Sequence, residues 1–339
     1  MVLSTFTEAL QSVPNGTTPH VLLGNGFSRA CREDIFNYGA LFDRADFNSL
    51  SPLVRDAFGI LGTTDFEVVM RALKSAARLL SIYAPDHPEI AAQISRDATG
   101  LREILVRAIA ENHPDRPGDI ASARYASCRR FLAHFKNIYT LNYDLLLYWA
   151  LMNGELPPPV ECDDGFRTPE TGTQDYVTWD SDRHSQNVYY LHGALHIFDA
   201  RTEIQKYTWA NTGIRLIDQI RSALTNNLYP IFVAEGASDQ KFEHIQHSAF
   251  LSKAYRSFQA IGGTLLVYGH AMAPSDHHVI RLIGRGRKIK QLLVGIYGDP
   301  ESDSNRQIVS RVDELRAMRP SARPLQASFF DADTAQVWG

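Results

Sequence analysis

The chain has 339 residues, of which 44% are hydrophobic and 21% charged, and its net charge is −4 at pH 7. This composition is that of an ordinary globular protein and excludes a collagen-like, largely disordered or disulfide-stapled chain. The slightly negative charge gives no general attraction to phosphate backbones, so we expect no direct nucleic-acid partner. The length predicts a main core with an additional module.

The cysteines and the hydropathy indicate the compartment. Cys31, Cys128 and Cys162 lie far apart and form neither a CxxC zinc pair nor an even set for disulfides, which suits a reducing compartment. No stretch approaches the roughly 18 apolar residues that span a bilayer, and residues 1–15 lack the features of a signal peptide. We therefore expect a cytoplasmic protein without a membrane anchor.

Short apolar runs typical of buried strands recur along the chain. They lie at residues 20–23, 138–141, 188–191, 229–234, 264–268, 291–297 and 325–330. Helical patterns, including residues 214–226 and 242–261, separate several of them, and the acidic, proline-rich residues 156–173 are predicted to form an exposed excursion. Strands that are hydrophobic on both faces and alternate with helices predict an α/β fold, a Rossmann-like parallel sheet flanked by helices.

The long interval between the first two predicted strands has a different pattern. Residues 66–83 and 90–112 have helical periodicity, and no strand pattern lies between them. We therefore predict a Rossmann-like NAD-binding domain made of residues 1–30 and 136–339, interrupted by a mainly helical insertion at residues 31–135.

The first candidate motif, Gly24-Asn25-Gly26-Phe27-Ser28, directly follows the first predicted strand. In a Rossmann-like unit, glycines in this turn let backbone N–H groups approach a pyrophosphate, and the next helix adds a favourable partial charge. Ser28 can cap that helix or donate to a phosphate. The third glycine of GxGxxG is absent, so a simple tight turn explains the motif equally well.

Polar residues also follow the second predicted strand. Thr140, Asn142 and Asp144 lie where ligands of open α/β sheets bind, beyond the carboxyl ends of the strands. The amide of Asn142 and the carboxylate of Asp144 can together bind a carboxamide. An Asx turn in which Asp144 caps the following helix explains the same residues.

His192 and Gly193 end the third predicted strand. A histidine suits proton transfer at neutral pH, and polar clusters at several strand ends can converge on one crevice. The spacing of His196, or of His244 with His247, would permit metal binding. No acidic or cysteine partner completes a recognisable ligand set, so we expect no metal.

Gly269 and His270 follow the strand predicted at residues 264–268. A glycine there permits close approach of a backbone, and the loop after it can hold the adenosine part of a dinucleotide. An ordinary strand-to-loop turn explains the same pattern. His277 and His278 are predicted to lie on the surface of a helix.

Four of these motifs together resemble the motif series of the sirtuin superfamily. In chain order they are GNGFS at residues 24–28, TLNYD at residues 140–144, LHG at residues 191–193 and YGH at residues 268–270. The chain is more similar to bacterial sirtuin-like proteins of anti-phage defence, in which GxGFS, TxNYD and LHG replace the GAGxS, TQNxD and HG of protein deacylases. Residues 232–236 with Lys241 also resemble that group, and the resemblance covers most of residues 19–299.

The resemblance implies a site that consumes NAD as its substrate. The binding residues that it implies are Gly24, Asn25, Gly26, Phe27, Ser28, Thr140, Gly269 and His270. The catalytic residues that it implies are Asn142 and Asp144 on the nicotinamide side and His192 as the base. The scattered cysteines cannot build the four-cysteine zinc module of the deacylases. In addition, Asn25 replaces the alanine of GAGxS, and Leu141 replaces the glutamine of TQNxD. These differences argue against acyl-lysine chemistry.

We therefore predict an NAD glycohydrolase that cleaves the bond between nicotinamide and ribose and acts in anti-phage defence by NAD depletion. A non-catalytic sensor of NAD or ADP-ribose, a protein deacylase and an ADP-ribosyltransferase remain as alternatives. The resemblance also implies homo-oligomers and, as one possible partner, a ring-shaped HerA-type ATPase.

Overall fold

The computed structural model of the chain describes residues 2–169, 175–208, 213–234 and 238–339. The strands of these residues are β1 (His20–Leu23), β2 (Ile138–Thr140), β3 (Phe166–Arg167), β4 (Tyr176–Trp179), β5 (Val188–Tyr190), β6 (Gly193–Asp199), β7 (Ile204–Tyr207), β8 (Pro230–Phe232), β9 (Gly263–Tyr268), β10 (Ile289–Ile296) and β11 (Gln326–Asp331). The α-helices are α1 (Phe6–Gln11), α2 (Gly26–Cys31), α3 (Glu33–Phe36), α4 (Tyr38–Arg44), α5 (Leu53–Leu61), α6 (Phe66–Tyr83), α7 (Pro88–Asn112), α8 (Ser122–Leu132), α9 (Leu146–Met152), α10 (Leu216–Thr225), α11 (Ser238–His247), α12 (Ala249–Ala260), α13 (His277–Arg285) and α14 (Asp303–Ala317).

The central sheet has six strands in the order β11-β10-β9-β1-β2-β5, and every neighbouring pair is parallel. The first strand lies inside the sheet, with two strands on one side and the later three on the other, which is the Rossmann order. All four residues of β1 are buried, as expected of a strand covered on both faces. The predicted α/β fold with a parallel sheet flanked by helices is confirmed.

Helices cover both faces of this sheet. One face shares a hydrophobic core with α6, α7, α8 and α9, and the other packs against α12, α13 and α14. Between β1 and β2 the described residues form helices and loops without a strand, as predicted. Asp65 begins α6 by accepting hydrogen bonds from the N–H groups of Glu67 and Val68, and Pro88 opens α7. These helices share a hydrophobic core with the sheet, and the division into two domains stays a prediction.

A second sheet, which the sequence pattern did not predict, is antiparallel and has the order β3-β4-β7-β6-β8. The prediction that residues 229–234 belong to the parallel sheet is wrong, because β8 pairs with β6 in the second sheet. The prediction of an exposed excursion at residues 156–173 is also wrong for part of that range: β3 joins the second sheet and Phe166 is buried. Residues 170–173 lie outside the described residues.

The chain passes directly from the parallel sheet into the antiparallel one at Gly193. This residue has φ +81°, and a Cβ there would lie 2.0 Å from the carbonyl oxygen of Ile231. The N–H of Val233 donates to the carbonyl oxygen of His192 at 3.0 Å. Residue 193 must therefore be a glycine, and His192 is anchored at the junction of the two sheets.

The helix predicted at residues 242–261 is interrupted. Ser248 has an extended backbone, and its side chain accepts a hydrogen bond from the N–H of Leu251, which ends α11 and begins α12. In the part of the chain that the structure describes, no helix combines the length and the hydrophobicity that crossing a membrane requires.

The turn after β1 packs against the turn after β9 at the point where the strand order reverses. A Cβ on Gly26 would lie 2.5 Å from the Cα of Gly269, and a Cβ on Gly24 would lie 2.6 Å from its carbonyl oxygen. The N–H of Gly26 donates to that oxygen at 2.7 Å. Glycine is required at both positions because the two backbones are in direct contact.

Replacing Gly26 by alanine tests this contact. Gly26→Ala is expected to lower the free energy of unfolding by about 2 kcal/mol, because the new methyl group overlaps the backbone of Gly269. The matched control is Gly59→Ala in α5, where a Cβ meets no atom within 4 Å, so the helix should gain about 0.5 kcal/mol. Urea unfolding measures both values, and equal stabilities of the two variants would refute the contact.

Candidate functional site

A cavity of about 660 Å³ opens beyond the carboxyl ends of the parallel strands. Its volume is typical of sites for small molecules and cofactors, and its place at the reversal of the strand order is where open α/β sheets bind ligands. Of the residues predicted for the site, those that line it are Asn25, Gly26, Asn142, Asp144, His192, Gly269 and His270. Those that do not line it are Gly24, Phe27, Ser28 and Thr140.

A buried hydrogen-bond network joins the turn after β1 to the loop after β2. The side-chain N–H₂ of Asn142 donates to the carbonyl oxygen of Gly24 at 3.0 Å and to Oγ of Ser28 at 2.9 Å. Ser28 in turn donates to Oδ2 of Asp144 at 2.5 Å, and Oδ1 of Asp144 accepts from the N–H of Leu146 at 2.9 Å. Both donors of the Asn142 amide are therefore used within the protein, which leaves its Oδ1 as the group that a ligand in the cavity can reach.

Asp144 forms the Asx turn that the sequence allowed, through the N–H of Leu146, but the N-cap of α9 is Leu145 and not Asp144 as predicted. Burial raises the pKa of Asp144, and the hydrogen bond from Ser28 opposes this shift. Since both of its oxygens accept hydrogen bonds from the protein, Asp144 holds Ser28, and through Ser28 it holds Asn142.

Three amide groups of the glycine turn are engaged within the fold. Gly26 N–H donates to the carbonyl oxygen of Gly269, Phe27 N–H to that of Gly24, and Ser28 N–H to that of Asn25. The role that the structure shows for this turn is close packing against Gly269. Phosphate binding by these amides stays a prediction, and it would require the turn to rearrange.

Phe27 and Thr140 hold the walls of the cavity in place. Phe27 is 1% exposed, its ring centre lies 5.2 Å from that of Trp338, and its carbonyl oxygen accepts from the indole N–H of Trp338 at 2.8 Å. Thr140 Oγ1 accepts from the N–H of Asn142 at 3.0 Å and thereby fixes the loop after β2. Neither side chain is placed for direct contact with a ligand in the cavity.

A buried ion cluster lies at one end of the cavity. Lys241 Nζ is 2.6 Å from Oε2 of Glu67 and 3.1 Å from Oδ1 of Asp276, and it is 1% exposed. His270 Nε2 lies 3.0 Å from Oδ2 of Asp276, and its Nδ1 accepts from the N–H of Met272, so Nε2 carries the proton. The cluster joins α6, α11 and the loop after β9 at the cavity wall.

The charges within this cluster shift each other's pKa values. Burial by itself lowers the pKa of Lys241, but Glu67 and Asp276 raise it above its usual value. Burial would raise the pKa of Asp276, yet Lys241 and the hydrogen bond from His270 hold it well below its usual range. Burial raises the pKa of Glu67 to about 7, although Lys241 opposes this shift. Lys241 is therefore an ammonium ion, and Asp276 is a carboxylate at neutral pH.

Two histidines lie next to the ion cluster. Nε2 of His192 is 3.0 Å from Nε2 of His278 and 3.9 Å from Oδ1 of Asp276. Burial lowers the pKa of His192 well below its usual value and that of His278 to about 4, while Asp276 raises both. The prediction that His278 lies on a helix surface is wrong, because its side chain is fully buried on the apolar face of α13. His277 is exposed, as predicted.

These residues include a set of side chains that could hold a metal ion. Ligand atoms of His192, Asp276 and His278 lie within 4.8 Å of one another. The sequence directed attention to His196 and to the pair His244 and His247 instead. The sequence analysis missed this set because its members come from separate elements. One signal was present: Asp276 and His278 form an Asp-x-His pair shortly after Gly269, a glycine at the end of a strand. Apolar residues are neighbours of this pair in the helix that follows.

The cluster predicts a specific pH dependence of stability. The pKa of Glu67 in the folded protein is about 7, above the ordinary 4.5, so its stabilising effect is complete below pH 4.5 and disappears as the pH rises through 7. In Glu67→Gln, the decline in the free energy of unfolding across this interval is expected to be smaller than in the parent. Urea unfolding at several pH values measures it, with Glu155→Gln, an exposed position, as the control. Parallel curves for the parent and Glu67→Gln would refute the raised pKa.

Comparison with known proteins supports a family assignment. No curated protein matches the sequence. A family model described as a domain of unknown function, DUF4917, matches residues 21–338, a range that includes every predicted site residue and, apart from His20, all residues of both sheets. The chain therefore belongs to the DUF4917 family.

Proposed function

We propose that this protein is a sirtuin-like NAD glycohydrolase, which hydrolyses the bond between nicotinamide and ribose. One observation carries the proposal: Asn142 and Asp144, which follow β2, and His192, which follows β5, border a single cavity at the reversal of a Rossmann-order sheet. Such a cavity is where dinucleotides bind in this class of fold. The motif series that resembles sirtuin-like defence proteins supplies the reaction class.

The charge distribution of the cavity supports the orientation of NAD. Asp65, Glu67 and Asp276 line the end that contains His192. The nicotinamide ring of NAD is cationic, and the ribose becomes oxocarbenium-like as the bond lengthens. Carboxylates fixed near that end stabilise the positive charge in the transition state. The proposal therefore places nicotinamide beside the ion cluster and the adenosine towards Tyr297 and Asn305, which line the cavity beyond β10, on the other side of β1 from β5.

The hydrogen bonds of the site define a role for each residue. Asn142 uses its N–H₂ group inside the protein, so its Oδ1 accepts a hydrogen bond from the carboxamide of nicotinamide. Asp144 is a positioning residue, because it acts on Asn142 through Ser28. His192 borders the cavity and takes the proton of the attacking water.

A second candidate function is binding of NAD or ADP-ribose without turnover. The observation that favours it is the burial of His192, which is only 1% exposed. A base so enclosed needs a change in the cavity before water and substrate can reach it. A protein that is activated by a partner would undergo such a change. The buried position of His192 is therefore compatible both with a sensor and with an enzyme that is inactive until the cavity opens.

The proposed biological role is anti-phage defence by NAD depletion, in homo-oligomers and with a HerA-type ATPase as one possible partner. The resemblance supports this role. Association is also supported by exposed apolar side chains in the helical segment, since Ile60, Ile82 and Tyr83 are 84%, 73% and 83% exposed.

Incubation of the purified protein with NAD, followed by quantification of free nicotinamide, tests the activity. His192→Ala is expected to lower turnover about 100-fold, because it removes the base, and Asn142→Ala is expected to lower turnover as well, because it releases the carboxamide. His184→Ala, at an exposed position, is the matched control and should keep the parental rate. Parental rates in both site variants would exclude these roles. NAD binding without any nicotinamide release would favour the sensor.

A further inference from the structure

His278 is a buried titratable group that the proposed reaction does not yet use. Its Nε2 lies 3.0 Å from Nε2 of His192, and the planes of the two rings are 21° apart. The ring centres are 5.2 Å apart. This distance is about the sum of the N···N separation and the two distances from each ring centre to its own Nε2, which is the value for atoms that lie on one line. The two Nε2 atoms therefore face each other head-on, as a direct N–H···N hydrogen bond requires.

This geometry distinguishes a hydrogen bond from a shared metal ion. Two imidazoles that bind one metal aim their nitrogens at a point beside the line that joins them, as in tetrahedral sites. Here each nitrogen aims at the other. In addition, Oδ1 of Asp276, the carboxylate oxygen nearest to His192, lies 3.1 Å from the ammonium group of Lys241, which partly compensates its charge. A divalent cation at this point would face the charge of Lys241.

The hydrogen-bond partners give the pair a direction. Nδ1 of His278 lies 3.3 Å from Oγ of Ser238, which is partly exposed at the start of α11. If Nδ1–H of His278 donates to Ser238, Nε2 of His278 is bare and accepts from Nε2–H of His192. Nδ1 of His192 is then bare, and proton acceptance from the cavity falls to this atom.

We propose that His192, His278 and Ser238 form a proton relay that leads from the cavity to the start of α11. The inference rests on the proposed function and identifies where its proton goes. Water attacks C1′ of the ribose, and the C1′–N bond breaks with its electron pair going to nicotinamide. The proton of water passes to Nδ1 of His192, Nε2–H of His192 passes its proton to His278, and Nδ1–H of His278 passes its proton to Ser238 and solvent. ADP-ribose, nicotinamide and one proton account for every atom of NAD and water.

The nearest carboxylate favours a positive charge on the relay, whereas burial and Lys241 oppose it. Above a pH of about 7, where Glu67 is ionised, Glu67, Asp276 and Lys241 together leave one negative charge in excess. Four further groups face the pair. His270 bonds to Asp276, and the ring of Tyr143 stacks on that of His192. Tyr255 donates to the carbonyl oxygen of His278, and the charge of Arg281 disfavours the protonated form of His278. Asp276 is the nearest carboxylate, so it stabilises the protonated pair.

Nuclear magnetic resonance of protein labelled with ¹⁵N-histidine tests the relay without NAD. A scalar coupling between ring nitrogens of His192 and His278 is expected, together with the Nε2–H tautomer of His192. The coupling should vanish in His278→Gln and persist in His277→Gln, its exposed neighbour. Absence of the coupling in the parent, or a stoichiometric metal ion in elemental analysis of the protein, would overturn the relay.

Turnover supplies the second test. His278→Gln keeps a hydrogen-bond acceptor for His192 but cannot pass a proton, whereas His278→Phe does neither. We expect kcat for nicotinamide release to fall about 10-fold in the first variant and about 100-fold in the second, with KM nearly unchanged and an altered pH profile. Ser238→Ala, which interrupts the outer end, should share the altered profile and replaces His278→Gln if that variant does not fold.

The outcomes separate the two proposals. Coupling without any nicotinamide release by the parent would overturn the proposed function and leave the hydrogen-bonded pair established. Nicotinamide release by the parent with an unchanged pH profile in both His278→Gln and Ser238→Ala would overturn the relay and leave the proposed function intact.

Discussion

Backbone contact between the turn after β1 and the turn after β9 is the constraint on which the cavity depends. Gly24 and Gly26 approach Gly269 so closely that no side chain fits between them. The contact fixes two neighbouring strand ends at the reversal of the sheet order, and Asn142 then joins β2 to the same point through Gly24 and Ser28. The glycines therefore determine the shape of the floor of the site, although Gly24 itself does not line the cavity.

The parallel sheet was predictable from the sequence because its strands are buried on both faces. Apolar runs such as residues 20–23 and 264–268 identify such strands locally, and helices between them favour parallel pairing. The antiparallel sheet was not predictable in this way. Residues of β4 and most of β7 are only half-buried, and β8 has an apolar sequence that suits either sheet. β8 belongs to the antiparallel sheet because it pairs with β6. The two strands are not adjacent in the sequence, so no local pattern indicates this pairing.

The candidate site was predictable to the extent that it lies at strand ends. The sequence identified Asn142, Asp144 and His192 because the carboxyl ends of parallel strands meet at one edge. It did not assign Glu67 or Lys241 to the site, although Lys241 belongs to the resemblance, because the two residues are 174 positions apart and come from different helices. The sequence pattern of a helix reveals which of its faces is apolar. The role of a charged residue on that face, however, can be assigned only when the residue that pairs with it is known.

Gly193 links the catalytic proposal to the arrangement of the two sheets. His192 ends a strand of the parallel sheet, while its carbonyl oxygen is held by Val233 beside the antiparallel sheet. Asn142 and Asp144, in contrast, are tied to β1 and α2. The backbone on either side of His192 is also bonded to the loop of Asn142, because Leu191 N–H donates to the carbonyl oxygen of Thr140 at 2.9 Å and Leu195 N–H donates to that of Tyr143 at 2.8 Å. A movement of the antiparallel sheet would therefore act first on the backbone of residue 192, where bonds to both sides of the junction meet.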